Sequence, residues 1–452
     1  MSNLFNSASS PAIIEAVEKL GYRVSSADVA IQAGLEVNLA QQQLLALASE
    51  AGGHLQVAES GDIAFLFPQN FRAVMRNRYW RLRVYEWWQK VWRILFYLIR
   101  ISFGIMLLVS IVLIFITIAA ILFFGDSNRN GGGGGGGGGG GSRGRGLIFI
   151  PHFWFHPNSF SFLSWDNGNY YRQQQKITKK QKKEKMNFFE VVFSFLFGDG
   201  NPNYNLEAQR WQAIATVIRN NQGAVVAEQI APYLDDLGNQ YSQEFEDYML
   251  PVLTRFNGQP EVSTQGQLVY HFPELQTTAT KYRPQPVPAY LKENNWKFSN
   301  ATSNQLMLAA GLGAVNFVGA LILGHLLEDG AIAAQMGGLV AFVEIIYPLL
   351  FAYGLGFLIV PLIRYFWVQS RNGKIAVRNE YRQSHAIALN QADDTLKQKL
   401  KYARKFAAET VISNQDLAYT TETDMLDQEA ANADKIDAEW QKRLNQSDEK
   451  ST

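Results

Sequence analysis

Residues 101–125 read ISFGIMLLVSIVLIFITIAAILFFG, an unbroken run of 25 positions without a charge. At ~1.5 Å of rise per residue such a helix reaches ~37 Å, more than the ~30 Å hydrocarbon core of a bilayer. In water it would have no polar face to present. The run therefore predicts a transmembrane helix, and an integral membrane protein around it. The chain has 452 residues, enough for two or three domains, and its formal net charge of +1 conceals apolar stretches alternating with stretches dense in Lys and Arg. It has no cysteine, which removes disulfides, thiolate zinc sites, cysteine-ligated iron–sulfur clusters and a cysteine nucleophile. The polar first ten residues do not read as a cleavable signal peptide.

Two more apolar stretches follow, at 303–327 and 338–363. The first carries Gly311, Gly313, Ala314, Gly319 and Ala320, small side chains that let helix backbones approach closely in lipid. The second contains Pro348 and Pro361, which membrane helices tolerate. The short link between them holds Glu328 and Asp329 and no Lys or Arg, so the pair reads as a helical hairpin. Ahead of the first span, residues 74–100 interleave Arg76, Arg81, Lys90 and Arg93 with Trp80, Trp87, Trp88 and Trp92. That pattern suits an interfacial helix on an anionic leaflet. These basic residues, with Arg364, Arg371 and Lys374 after the third span, predict cytoplasmic flanks. The basic run 172–185 reads as cytoplasmic as well. Either the aromatic stretch 147–165 then re-enters the membrane, or the middle region lies on the opposite side. Residues 131–141 are all glycine and read as slack coil.

Two segments are alike. Residues 53–68, GHLQVAESGDIAFLFP, and residues 258–273, GQPEVSTQGQLVYHFP, share Gly53/Gly258, Val57/Val262, Gly61/Gly266, Phe65/Tyr270 and Phe67/Phe272. Both alternate apolar and polar residues about a glycine turn, the mark of a hairpin. Each follows the order helix, extended link, helix, helix. Residues 11–68 and 204–273 thus resemble a winged helix-turn-helix used twice. Winged helices that read DNA need Lys and Arg for the phosphates. The first copy has two basic residues against seven acidic, the second three against eight, a net of −5 in each. The third helix of the second copy carries Glu244, Glu246 and Asp247. An acidic face repels phosphate, so the domains read as protein-interaction modules and nucleic acid is not the expected partner.

The segments FFEVVFSFLFGDGNPN at 188–203 and NQDLAYTTETDMLDQE at 414–429 resemble motifs of a family of cyanobacterial and chloroplast membrane proteins. Plant members of that family carry the label "iron-sulfur cluster biosynthesis family protein". The resemblance implies a thylakoid membrane, or the plasma membrane of a cyanobacterium; the basic flanks predict that the soluble domains are mainly cytoplasmic. The label implies scaffold cysteines, and this chain has none, so cluster scaffolding is not carried over. Within FGDGNPN, Asp199 and Asn203 are expected to cap the following helix. A Ca²⁺ turn would want a bidentate Glu that the motif lacks.

No phosphate loop, nucleophile elbow, zinc motif or dinucleotide fingerprint is present. No catalytic, cofactor-binding or metal-ligating residue is expected. His152 and His156, bracketed by Pro151 and Pro157, read as part of an aromatic interfacial segment. Glu344, ionisable within a span, is a functional candidate that a small transporter would use. The contact candidates are Trp80, Trp87, Trp88, Trp92, Asp199 and Glu344, facing membrane lipid or a protein partner.

The expected architecture is an α+β membrane protein with two winged-helix-like domains, three transmembrane helices (one single span plus a helical hairpin) and a helical C-terminal tail. Its segments are 1–73, a first winged-helix-like domain; 74–100, an interfacial helix; 101–125, a span; 126–146, a glycine-rich linker; and 147–186, an aromatic then basic segment. They continue with 187–275, a second winged-helix-like domain; 276–302, a linker; spans 303–327 and 338–363; and 364–452, a charged helical tail packing on the soluble domains or a partner helix. The expected role is non-enzymatic: acidic domains dock a protein partner during assembly or maintenance of photosynthetic membrane components. A membrane-tethered nucleic-acid-binding regulator and a small transporter are the alternatives.

Overall fold

A computed structural model describes residues 11–78, 80–124, 186–235, 237–238, 244–328, 331–413 and 417–430, with scattered positions up to 441. The glycine run, the aromatic stretch 147–165 with its two histidines, and the basic run 172–185 lie outside the described residues. The elements run in the order α1 Pro11–Lys19, β1 Arg23–Ser25, α2 Ser26–Ala33, α3 Val37–Ala51, β2 His54–Ala58, β3 Ile63–Leu66, α4 Phe71–Arg78 and α5 Trp80–Phe124. Then come α6 Phe188–Phe197, α7 Leu206–Asn220, β4 Ala224–Val225, α8 Ala227–Ile230, α9 Leu250–Phe256, β5 Gln259–Val262, β6 Leu268–His271 and β7 Thr277–Thr278. The remainder is α10 Ser303–Leu327, α11 Ala331–Met336, α12 Gly338–Asn390, α13 Asp394–Ala403, β8 Thr410–Val411 and β9 Leu417–Thr420. The fold is mixed α+β and divides into two units.

The first unit comprises Met1–Trp87, Pro202–Asn294 and Gly373–Thr452. It contains both hairpins found in the sequence. Strands β1, β3 and β2 form an antiparallel sheet in which Val24 faces Phe65. Strands β4, β6 and β5 form another in which Val225 faces Tyr270. The hairpin turns are made by Gly61 at φ 88° and Gly266 at φ 79°, backbone angles that only glycine adopts without steric cost. At the other end of each hairpin a side chain has no room: a Cβ on Gly53 would strike the Phe67 ring, and one on Gly258 the Phe272 ring. Helix α2 starts with a reciprocal cap, the Ser25 hydroxyl accepting from Asp28 N–H and the Asp28 carboxylate accepting from Ser25 N–H. One continuous buried cluster joins the two modules, running from Ile13, Leu44 and Phe65 to Ile214, Ile218, Val252 and Phe272.

The second unit comprises Trp88–Asn201 and Asn295–Asn372. Among the described residues three helices are long and apolar enough to cross a membrane, over Trp87–Phe123, Ser303–Leu327 and Gly338–Asn390. Ile114, Ala320, Leu323 and Val343 pack where they meet. The small residues of α10 divide as lipid packing requires: Gly313, Gly319 and Ala320 are buried while Gly311 and Ala314 are exposed. A Cβ on Gly313 would enter the Phe357 ring, and one on Gly324 the Tyr347 ring. Ser110 donates 2.8 Å to the carbonyl oxygen of fully buried Asn316. Such a bond between membrane helices is worth about 0.6–2 kcal/mol. The outward faces stay apolar, with Ile345 78% exposed.

Four features differ from the sequence expectation. The interfacial segment 74–100 and the first span are not separate elements, because α5 runs unbroken from Trp80 through the span, while 74–78 belong to α4. No glycine or proline stands at the boundary to stop it. Helix α6, assigned above to the second soluble domain, belongs with the spans: Phe188, Val191, Val192 and Leu196 pack on Leu107, Ile111, Ala309 and Phe357. Its ten residues reach only ~15 Å, about half of a bilayer core. The tail is not wholly helical: β9 adds to β2 as the fourth strand of the first sheet, and β8 pairs in parallel with β7. With β7, the supposed linker 276–302 is likewise partly strand. Finally, the link between the hairpin helices holds the short helix α11.

Candidate interaction surface

The paired modules contain five Lys and Arg residues across 11–68 and 204–273; the structure commits the four arginines internally and leaves Lys19 exposed. Lys19 pairs with Glu15 at 2.8 Å. Arg23 donates to Gln56 and to the backbone oxygens of Ala279 and Ile412. Arg210 bonds Glu207 and Asp235. Arg219 is buried, donates to Leu275 O and stacks 4.9 Å from the Tyr282 ring. Arg255 lies 4.4 Å over Trp211 and donates 2.5 Å to Gly34 O, tying the second module to the first. The acids are divided. Glu59, Glu244 and Asp247 are exposed, whereas Glu246 is largely buried and half-exposed Glu228 faces the same lysine, Lys399.

What draws these two together is the tail. Lys399 on α13, 8% exposed, sits 2.9 Å from Glu228 and 2.5 Å from Glu246. The Tyr270 hydroxyl donates 2.7 Å to the same Glu246. Burial first, and then this bond to a carboxylate, push the Tyr270 phenol well above its ordinary value. Leu396, Leu400 and Ala403 flank Lys399 and cover Val226 and Val269. A second buried cation follows the same logic. Arg382, fully buried on α12, bonds Asp235, Glu293 and the Leu291 carbonyl, and Arg378 grips Glu293 through two bonds of 2.6 and 2.7 Å. The Arg378 hydrogen bond, working against burial and helped by Arg382, holds the Glu293 carboxyl below its ordinary range. Burial opposes charge on Asp235 too, yet Arg382 and Arg210 overcome it and lower its pKa.

None of these anchors was read from the sequence. The signal was present in one respect: Lys399 stands at helical spacing within the apolar stripe of Leu396, Leu400 and Ala403, and Arg382 within that of Ile375 and Ala386. A cation in such a stripe needs a buried carboxylate.

The residues singled out in the sequence do not converge. Trp87, Trp88 and Trp92 are exposed along α5; Trp80 opens that helix, and its side chain is outside the described residues. Glu344 is half-buried near the start of α12. Asp199 does not cap α7, whose N-cap position is Asn205. Instead it gathers the end of α6, accepting 2.7 Å from Ser194 Oγ, 2.7 Å from Asn300 N–H and 2.5 Å from Arg100. Asn203 does not cap either; it exchanges two 2.8 Å bonds with the Asn294 backbone. Among the described residues no three His, Asp or Glu side chains gather as metal ligands.

A cleft of about 310 Å³ opens beside α7 in the first unit, lined by Gln32, Gln209, Gln212, Thr216, Tyr290 and a run of prolines that includes Pro286 and Pro288. Its wall mixes amides with aliphatic and aromatic side chains, and its lining cation is Lys292.

These features define a mixed α+β protein with, among the described residues, three membrane-length helices and two cation-poor modules. Its sequence is 36% identical over 427 residues to an Arabidopsis thaliana protein described as "Uncharacterized protein At5g03900, chloroplastic", covering 92% of this chain and 79% of the relative. The chain belongs to the family of that chloroplastic protein. No protein-family model matches it, and no solved structure matches it.

Proposed function

We propose that this protein is a non-enzymatic membrane anchor whose two soluble modules dock a protein partner, in assembly or maintenance of a photosynthetic membrane. The observation that carries the reading is the internal commitment of four of the five module cations, which leaves Lys19 as a lone exposed lysine paired with Glu15, beside the exposed acids Glu59, Glu244 and Asp247. Duplex binding draws its affinity from cations placed against phosphates, so that surface favours a protein partner over nucleic acid. The modules are read as a winged-helix pair. Support comes from shared constraints at equivalent positions: Val24 against Phe65 and Val225 against Tyr270, then Gly53 under Phe67 and Gly258 under Phe272. Two consecutive left-handed residues also precede each first strand, Gly21–Tyr22 and Gln222–Gly223. The chloroplastic relative supports a thylakoid membrane, and the Lys/Arg-rich flanks support a cytoplasmic or equivalent side for the modules. The iron–sulfur label plays no part, because no cysteine is available.

Cross-linking in intact membranes, followed by mild detergent extraction of the full chain, tests the reading. A defined protein linked to residues of the two modules is the expected product. Cross-links confined to nucleic acid, or none to any protein, would overturn it.

A further inference from the structure

The second unit holds a cleft of about 400 Å³ where the apolar part of α12 gives way to its charged part. Its floor is the end of α6. There Arg364 donates to the carbonyls of Ser194, Phe195 and Phe298, so the guanidinium neutralises the negative end of that short helix. Gly198 is required at this point, since a Cβ would collide with Arg364. One wall is apolar and outward-facing, with Ile363 64% exposed and Val360 beside it. The other wall is Trp296 against Trp367, their rings 5.1 Å apart. The Trp296 backbone is locked by two bonds to the Asn372 side chain. Arg371 stacks on both rings, 5.1 Å and 4.9 Å from their centres, and is exposed, as is Lys297 at the rim. The carboxylate lining the cleft, Asp199, is already paired with Arg100.

We propose that this cleft binds the phosphodiester headgroup of an anionic membrane lipid, with one acyl chain lying along Val360 and Ile363. Exposed Lys297 at the rim, with exposed Arg371 on the tryptophan pair that forms the wall and the lining carboxylate Asp199 already paired, selects an anion. The tryptophan pair is the side-chain type that settles at headgroup depth. The outward apolar wall continues the lipid-facing side of α12, so a lipid is the occupant rather than a free phosphate. The proposal rests on the membrane helices and not on the docking role of the modules, so either can fail alone.

The test uses the purified full chain, reconstituted into vesicles of phosphatidylcholine alone or of phosphatidylcholine mixed with phosphatidylglycerol. Lipid retained after detergent extraction is then read by native mass spectrometry. Wild type should retain phosphatidylglycerol in preference to phosphatidylcholine. Lys297→Ala combined with Arg371→Ala should cut that retention about thirtyfold, the product of ~5-fold per cation near an anionic surface. Lys281→Ala, an exposed cation of the first unit, should leave it unchanged. Excess inorganic phosphate should not displace the lipid; displacement would reassign the cleft to a free anion. Equal retention of the two lipids, or unchanged retention in the double variant, would overturn the proposal.

Discussion

The two soluble modules share a pattern of elements but are joined to the tail by different physics. The first is extended by backbone: β9 pairs with β2, and Thr421 closes the edge by accepting 2.8 Å from Leu55 N–H and donating its own N–H to Leu55 O. The second is held by charge, through Lys399 at Glu228 and Glu246 and through Arg382 at Asp235 and Glu293. A strand added to an edge satisfies groups that would otherwise recruit another chain. A buried cation does something else. It contributes little net stability over an apolar residue, yet its loss strands a carboxylate in the interior. The second module is therefore the one that pH and single substitutions should loosen.

The largest effect is expected at Arg382→Met, which leaves Glu293 without one of its two guanidinium partners and unseats Asp235. Unfolding of the soluble part should cost about 4 kcal/mol less, read as a lower midpoint in denaturant. Lys399→Met should follow at about 3 kcal/mol. Amide exchange should then quicken in β6 and stay unchanged in β3. Exchange that quickened equally in both would remove the distinction between the modules. Acid should discriminate in the same way. Glu293 and Asp235 have lowered pKa values in the fold, so their contribution is present above the ordinary carboxylate range and lost as pH falls through their folded values. Exchange measured through that window should show the second module loosening before the first. The smallest effect is expected at Thr421→Val, about 1 kcal/mol for one neutral hydrogen bond, confined to β2 and β9 and independent of pH.

The hairpins were legible because their information is local. A glycine turn between alternating apolar residues fixes the register, and Gly61 and Gly266 stand where the sequence put them. The spans were legible because an uncharged run admits few other folds. What escaped reading was non-local. Nothing in Leu417–Thr420 announces that these residues pair with a strand formed more than 350 positions earlier in the chain. Asp199 was read as a cap for the helix that follows it, whereas it serves the helix that precedes it. Adjacency in sequence puts helix α6 with the second module, but its apolar residues Phe188, Val191, Val192 and Leu196 pack on the spans. The acids of the second module were counted as free surface, and two of them are the counter-charges of a buried lysine.

The account's central claim is that the remaining exposed acids receive a protein. Partner retention on the full chain after mild extraction should be compared between wild type and a variant carrying Glu59→Lys, Glu244→Lys and Asp247→Lys, all exposed positions whose exchange leaves the core intact. The account predicts that retention falls by about tenfold or more, since like-charge contacts across an interface cost several kcal/mol. Undiminished retention in a folded variant would contradict it.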